Sequence, residues 1–185
     1  YFSSYNKYPV MYMQDGNNLL NGSPYAPFGT WDVDLNADEA IENDMAQPVI
    51  IVGITPLNRN NEYLHTIVDR LENTPKLQEY TNYLINTLKP FIDNNFRTLT
   101  DKNNTAIAGS SLGGISSFFI AWQNPDVFGK AGVFSPSSWI NIGDGEKATA
   151  EDSMISLINS TTTIPELKIY IDSGDSNFDT TKTYD

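Results

Sequence analysis

The sequence predicts a doubly wound α/β fold, a mostly parallel sheet with helices on both faces. Three observations carry the prediction. Short β-branched apolar runs alternate with stretches of helical apolar spacing. No two strand runs are joined by a tight hairpin turn, as an antiparallel sheet would need. The chain has 185 residues, enough to bury one substantial core but short for two full domains, so residues 1–185 read as a single domain.

The first strand run is Val10-Met11-Tyr12-Met13, behind Pro9, and it ends in the turn Gln14-Asp15-Gly16-Asn17. Val49-Ile50-Ile51-Val52-Gly53-Ile54 is continuous and β-branched, as in a strand covered on both faces. Thr105-Ala106-Ile107-Ala108, Ala131-Gly132-Val133-Phe134 and Leu167-Lys168-Ile169-Tyr170-Ile171 supply three more strands. Between them, Leu77, Tyr80, Leu84, Leu88, Phe91 and Ile92 form one apolar face of a helix spanning Lys76 to Phe96. Pro90 should kink or interrupt it. Ile115 to Trp122 reads as a second helix and Asp152 to Asn159 as a third, weaker one. Residues 17–36 and 55–74 read as long irregular stretches, which in compact domains are often functional. In such sheets ligands sit at the carboxyl ends of the strands, so the chemistry is sought just after each one.

Composition narrows the function. Eleven Lys plus Arg against 23 Asp plus Glu give a formal net charge of −12. That balance argues against nucleic acid and against an anionic membrane surface, both of which need clustered cations. With no cysteine there are no disulfides, thiolate metal sites or Cys nucleophiles. The acidic group Asp32-Val33-Asp34, Asp38-Glu39 and Glu42-Asn43-Asp44 lacks the spacing of a calcium loop and reads as solvated surface. No metal site, nucleotide loop or dinucleotide fingerprint stands out, and no cofactor is expected. Asn21, Asn103 and Asn159 open glycosylation-type triplets, a slight lean towards secretion.

The strongest chemical signal is Gly109-Ser110-Ser111-Leu112-Gly113-Gly114, between a strand run and a helix. This is G-x-S-x-G in a strand–turn–helix context. The turn is sharp, so the positions two before and two after the nucleophile must be small. Gly109 and Gly113 meet that need around Ser111, whereas Ser110 would be flanked by Ala108 and Leu112. The N–H of Leu112 would lie at a helix N-terminus, where an oxyanion is favoured. A second donor is expected from the loop after an earlier strand, and Asn17 is placed there, although Asp15-Gly16-Asn17 by itself is an ordinary turn. Asp172, Asp175 and Asp179 all follow the last strand run and could orient a histidine; Asp179 is the first choice and Asp175 the second. The only histidine, His65, precedes the nucleophile, against the order Ser, acid, His, and reads as a polar surface loop residue.

At these residues the sequence resembles the esterase D-like branch of the α/β-hydrolases. That branch includes feruloyl and acetylxylan esterases of carbohydrate esterase family 1, enterochelin esterases, S-formylglutathione hydrolase and mycolyltransferases. Residues 8–16 resemble the opening strand and oxyanion loop, and Arg59-Asn60-Asn61-Glu62-Tyr63 its R-x-x-E-Y segment. Phe96-Arg97-Thr98, residues 109–114, Asn124-Pro125-Asp126-Val127-Phe128-Gly129 and Phe134-Ser135-Pro136-Ser137-Ser138-Trp139 follow in the family's order. The resemblance implies an α/β-hydrolase with Ser111 as nucleophile, Leu112 and Asn17 as oxyanion donors and Asp179 as acid. It also implies an opening hairpin before Tyr8 and a histidine-bearing segment after Asp185. The chain is therefore expected to be incomplete at both ends, and by itself poorly stable or oligomeric.

The function expected is a serine esterase acting on a small ester or an esterified polysaccharide, with feruloyl or acetyl esters of plant polysaccharide in the lead and a secreted location. Trp31 and Trp139, with Tyr25 and Phe28, are candidates to stack on a feruloyl ring or a sugar. Aromatics make up 12% of the chain, so plain packing explains such residues equally. The alternatives are a non-catalytic hydrolase-fold binding module and an acyltransferase to a sugar acceptor.

Overall fold

The computed structural model describes residues 5–26, 29–138, 140 and 153–173. Five strands form one sheet in the order β2-β1-β3-β4-β5: β1 Val10–Gln14, β2 Ile50–Ile54, β3 Thr105–Ser111, β4 Lys130–Pro136 and β5 Lys168–Ile171. Every pair is parallel, with Tyr12 level with Val52 on one side and Ile107 on the other. All five strands expected from the sequence are present, within a few residues of their expected bounds.

Alternation along the strands sorts side chains onto the two faces of the sheet. Val10, Tyr12, Ile54, Ile107, Ala131 and Val133 join the larger core, with Leu77, Tyr80, Leu84, Ile92, Ile115 and Phe119 from the helices. Met13, Ala108 and Leu19 form a smaller core on the opposite face, with Val33 and Phe134 against it. Helices α3 (Leu77–Tyr83), α4 (Lys89–Asn95) and α5 (Leu112–Gln123) therefore cover one face and α1 (Val33–Glu42) the other. In α5 every residue from Leu112 to Ala121 is buried, since the helix packs on β3 and β4 and is covered in turn. Its outer side meets α6 (Met154–Ser160), the third helix expected.

Two local readings are corrected. The stretch over residues 17–36 is not irregular throughout, because α1 begins at Val33. Its thin apolar stripe of Val33, Ala37 and Ile41 lies among acidic residues, which masked the helical period. Strand β2 is half-buried rather than covered on both faces, because among the described residues it is an edge strand. The long helix is interrupted just ahead of Pro90, as expected. A π-helical stretch, Leu84–Leu88, joins α3 to α4 and widens the turn ahead of the proline, whose ring would otherwise press on the preceding carbonyls.

Tyr12 stands at the centre of the larger core, with its ring edge-on to Phe128 at 6.0 Å. Its hydroxyl is buried and has no hydrogen-bond partner among the described residues. Burial, with the Asp93 carboxylate nearby, pushes the phenol well above its usual range. An unsatisfied buried hydroxyl carries a desolvation cost, so Tyr12→Phe should raise stability by about 1 kcal/mol. Urea denaturation checks this; a destabilised variant would mean that the hydroxyl is satisfied in solution.

Candidate active site

Strands β1, β3 and β4 are neighbours in the sheet, and each has a non-glycine residue of positive φ at or next to its carboxyl end: Asp15 (55°), Ser111 (56°) and Ser135 (38°). The candidate site is built at this end. Ser111, the last residue of β3, caps α5 with φ 56° and ψ −120°, outside even the left-handed helical well. This sharp reversal leaves Ser111 exposed at the rim while Leu112, the first residue of α5, is buried. The leading N–H groups of a helix have no acceptor within it, so the Leu112 N–H is of that kind.

The turn is possible because of Gly109. A Cβ there would sit 2.6 Å from the Gly113 carbonyl oxygen and 2.7 Å from Gln14 Cγ. Ser111 is held from the other side by Ser137, which is buried. The Ser137 N–H donates to the Ser111 carbonyl at 3.0 Å, and the two hydroxyl oxygens are 3.0 Å apart.

The loop after β1 packs beside this turn. Gly16 opens a short 3-10 turn, Gly16–Asn18, and lies so close to β2 that a Cβ would be 2.6 Å from the Gly53 carbonyl carbon. Asn17 is central in that turn, with its side-chain amide donating to Asn18 Oδ1 at 2.7 Å and the Tyr25 carbonyl at 3.1 Å. Asp15 is gripped by Arg59 of α2 (Arg59–Glu62): Nε donates to Oδ1 at 2.8 Å and Nη2 to Oδ2 at 2.9 Å. Nη2 also reaches the Ser110 carbonyl at 3.3 Å. Beneath lies a buried polar chain. The Asp15 N–H donates to the Tyr63 hydroxyl at 2.9 Å, and the Tyr80 hydroxyl donates to Gln14 Oε1 at 2.5 Å. Burial pushes both phenols far up, so each acts only as a neutral hydroxyl.

The structure thus brings Ser111, Leu112 and the Asn17 loop together. Trp31 stands near them, edge-on to Phe134 at 5.6 Å, and lines a small cleft with Gln14, Asp15, Arg59 and Ser110. Tyr25 is more exposed, in a wider cleft with Asn17, Leu57 and Arg59. Asp179, Asp175, Trp139 and Phe28 lie outside the described residues. Asp172 is described, and its Oδ1 accepts from the Ser135 N–H at 2.7 Å and from Ser135 Oγ at 3.3 Å, so this carboxylate caps the end of β4. His65 is not a surface loop residue as expected: it is half-buried, stacked on Phe119 at 4.0 Å. Among the described residues no group of three or more His, Cys, Asp or Glu could hold a metal, and no helix is long and apolar enough to cross a membrane. Sequence reasoning gave no role to Arg59, Tyr63, Tyr80 or Ser137. The one local hint was the four-residue spacing of Arg59 and Tyr63, which places the guanidinium over the Tyr63 ring at 5.4 Å.

A parallel sheet with a serine on a strained strand-to-helix turn defines the α/β-hydrolase class. The chain belongs to the Esterase family, whose model, described as "Putative esterase", matches residues 1–184. An uncharacterized protein, YbbA, of Bacillus subtilis is 27% identical over 137 residues, 71% of this chain and 51% of that protein. An endo-1,4-beta-xylanase/feruloyl esterase of Xylanibacter ruminicola is 30% identical over 138 residues, 72% of this chain and 17% of that protein. The aligned region is thus about half or less of these relatives' length. Among solved structures, an enterobactin esterase of Shigella flexneri matches with a TM-score of 0.65 at 18% identity, covering 88% of this chain and 38% of that one. A ferulic acid esterase of Anaeromyces mucronatus matches with a TM-score of 0.58 at 20% identity, covering 92% of this chain and 62% of that one.

Proposed function

We propose that this chain carries the nucleophile and oxyanion-binding part of a serine esterase. The observation that carries the reading is the backbone of Ser111, an exposed serine on a strained turn that opens a buried helix. Ser111 Oγ attacks the ester carbonyl carbon, and its proton passes to a histidine oriented by Asp179. The family resemblance sets that histidine after the acid in chain order, and His65, which precedes Ser111 and stacks on Phe119, is not assigned the role. The tetrahedral oxyanion accepts from the N–H groups of Leu112 and Asn17. The alcohol leaves with the proton, and water then releases the acyl group by the reverse sequence.

The substrate class proposed is feruloyl or acetyl esters on plant polysaccharide, met outside the cell. The printed names of the Xylanibacter relative and the ferulic acid esterases support it. So do Trp31, in the cleft beside the elbow, and Tyr25, in the cleft beside the Asn17 loop.

A fluorophosphonate probe with peptide mapping tests the mechanism on the full-length gene product. One label is expected, on the peptide containing Ser111. Label on another residue, or none on an active preparation, would reject the assignment. Turnover of methyl ferulate against an acetylated xylan then separates the two acyl groups.

A further inference from the structure

Arg59 joins the two loops that would hold the oxyanion. Its two bonds to Asp15 grip the residue just before Gly16-Asn17, and its bond to the Ser110 carbonyl grips the residue just before Ser111-Leu112. We propose that Arg59 is a positioning residue that sets the gap between the Asn17 and Leu112 N–H donors. This rests on the reading of Ser111 as nucleophile.

The geometry explains why such a brace is needed. Asp15 is held at φ 55° and ψ 48°, a left-handed conformation open to aspartate but only one of those it can adopt, so its contacts must select it. Three contacts do so here: Arg59 on its carboxylate, the Tyr63 hydroxyl on its N–H, and the Asn18 N–H on its carbonyl at 2.8 Å. Of these, only Arg59 also reaches the elbow. Without it the carboxylate is free to turn to solvent, the backbone of Asp15 can relax, and the Asn17 N–H shifts relative to Leu112. Lysine cannot replace it, because one ammonium does not present the planar fork that meets both carboxylate oxygens and a carbonyl together. The Arg59 side chain is 37% exposed and that of Asp15 14%, so loss of this bidentate pair costs some stability. The positioning role is read from turnover in protein that is still folded.

The test is Arg59→Ala in the full-length gene product, assayed with a soluble ester. We expect kcat to fall at least about tenfold, part of the ~10²–10³ that loss of a whole oxyanion donor costs. KM should stay within about threefold, since ground-state binding is not what is lost. The variant should stay folded at the assay temperature, and added ethylguanidinium, but not ethylammonium, should restore turnover. Unchanged kcat overturns the proposal. So does a loss confined to KM, which would make Arg59 a substrate contact. So does a loss that tracks a fall in melting temperature and resists ethylguanidinium, which would make it a structural brace only. Ser111→Ala is run alongside. If it stays active, the nucleophile reading falls and the positioning role with it; if it is dead while Arg59→Ala is normal, only the positioning role falls.

Discussion

Replacing Ser111 with alanine is expected to lower ester turnover by about 10⁶-fold, the scale seen when a hydrolase loses its serine nucleophile. The fold should survive. Ser111 is exposed, and its hydroxyl has one partner among the described residues, Ser137 Oγ at 3.0 Å. Losing that bond leaves the buried Ser137 hydroxyl short of a partner, at a cost of about 1 kcal/mol. Ser111→Gly should be equally inactive yet melt higher than Ser111→Ala, because glycine accepts φ 56° and ψ −120° with less strain. Turnover and thermal melts of the three proteins check this. Alanine retaining more than about one part in a hundred of the activity would remove Ser111 from the nucleophile's place, given the 10⁶-fold scale of true nucleophile loss. Glycine melting below alanine would mean that the turn is not strained in solution.

The second large effect is expected at Gly109, through packing and not chemistry. An alanine Cβ there would meet the Gly113 carbonyl oxygen at 2.6 Å and Gln14 Cγ at 2.7 Å. Neither neighbour can yield easily. The carbonyl belongs to the first turn of α5, and Gln14 is pinned by the Tyr80 hydroxyl. Relief must come from moving α5 away from β3, which takes Leu112 with it. Overpacking of this kind costs about 1–3 kcal/mol. A displacement near 1 Å at reacting groups costs about 10²-fold in rate. Gly109→Ala should therefore lose both stability and turnover, read by urea denaturation and steady-state kinetics. A fully active, fully stable variant would show that the elbow is looser than this geometry.

Much of this was legible in the sequence, for physical reasons that differ by residue. Strands β1, β3 and β4 are central, so their runs are nearly continuous in apolar residues, and such runs declare themselves. The elbow was legible because its constraint is local: two small residues must flank one serine. Helix α1 was not, because it buries little; with no residue fully buried, a stripe of Val33, Ala37 and Ile41 is a faint signal among carboxylates. The bracing of the site was hidden for another reason. Arg59 and Asp15 are 44 residues apart, and Gln14 and Tyr80 are 66 apart. Such pairings are products of the fold and leave no spacing to read. The R-x-x-E-Y segment drew attention to Arg59 by resemblance without saying what it does. His65 misled in a milder way, since a polar residue in a loop reads as solvated until Phe119 is found lying across its ring.

The three positive-φ residues at the carboxyl ends of β1, β3 and β4, Asp15 just after its strand, have a consequence for laboratory selection. A screen for heat resistance favours any change that relaxes Asp15, Ser111 or Ser135, and glycine is the simplest change at each. A screen for turnover favours keeping them as they are. Libraries from the two screens should therefore diverge at these positions while agreeing over the rest of the sheet. Comparing them would map the working end of the molecule from sequences alone.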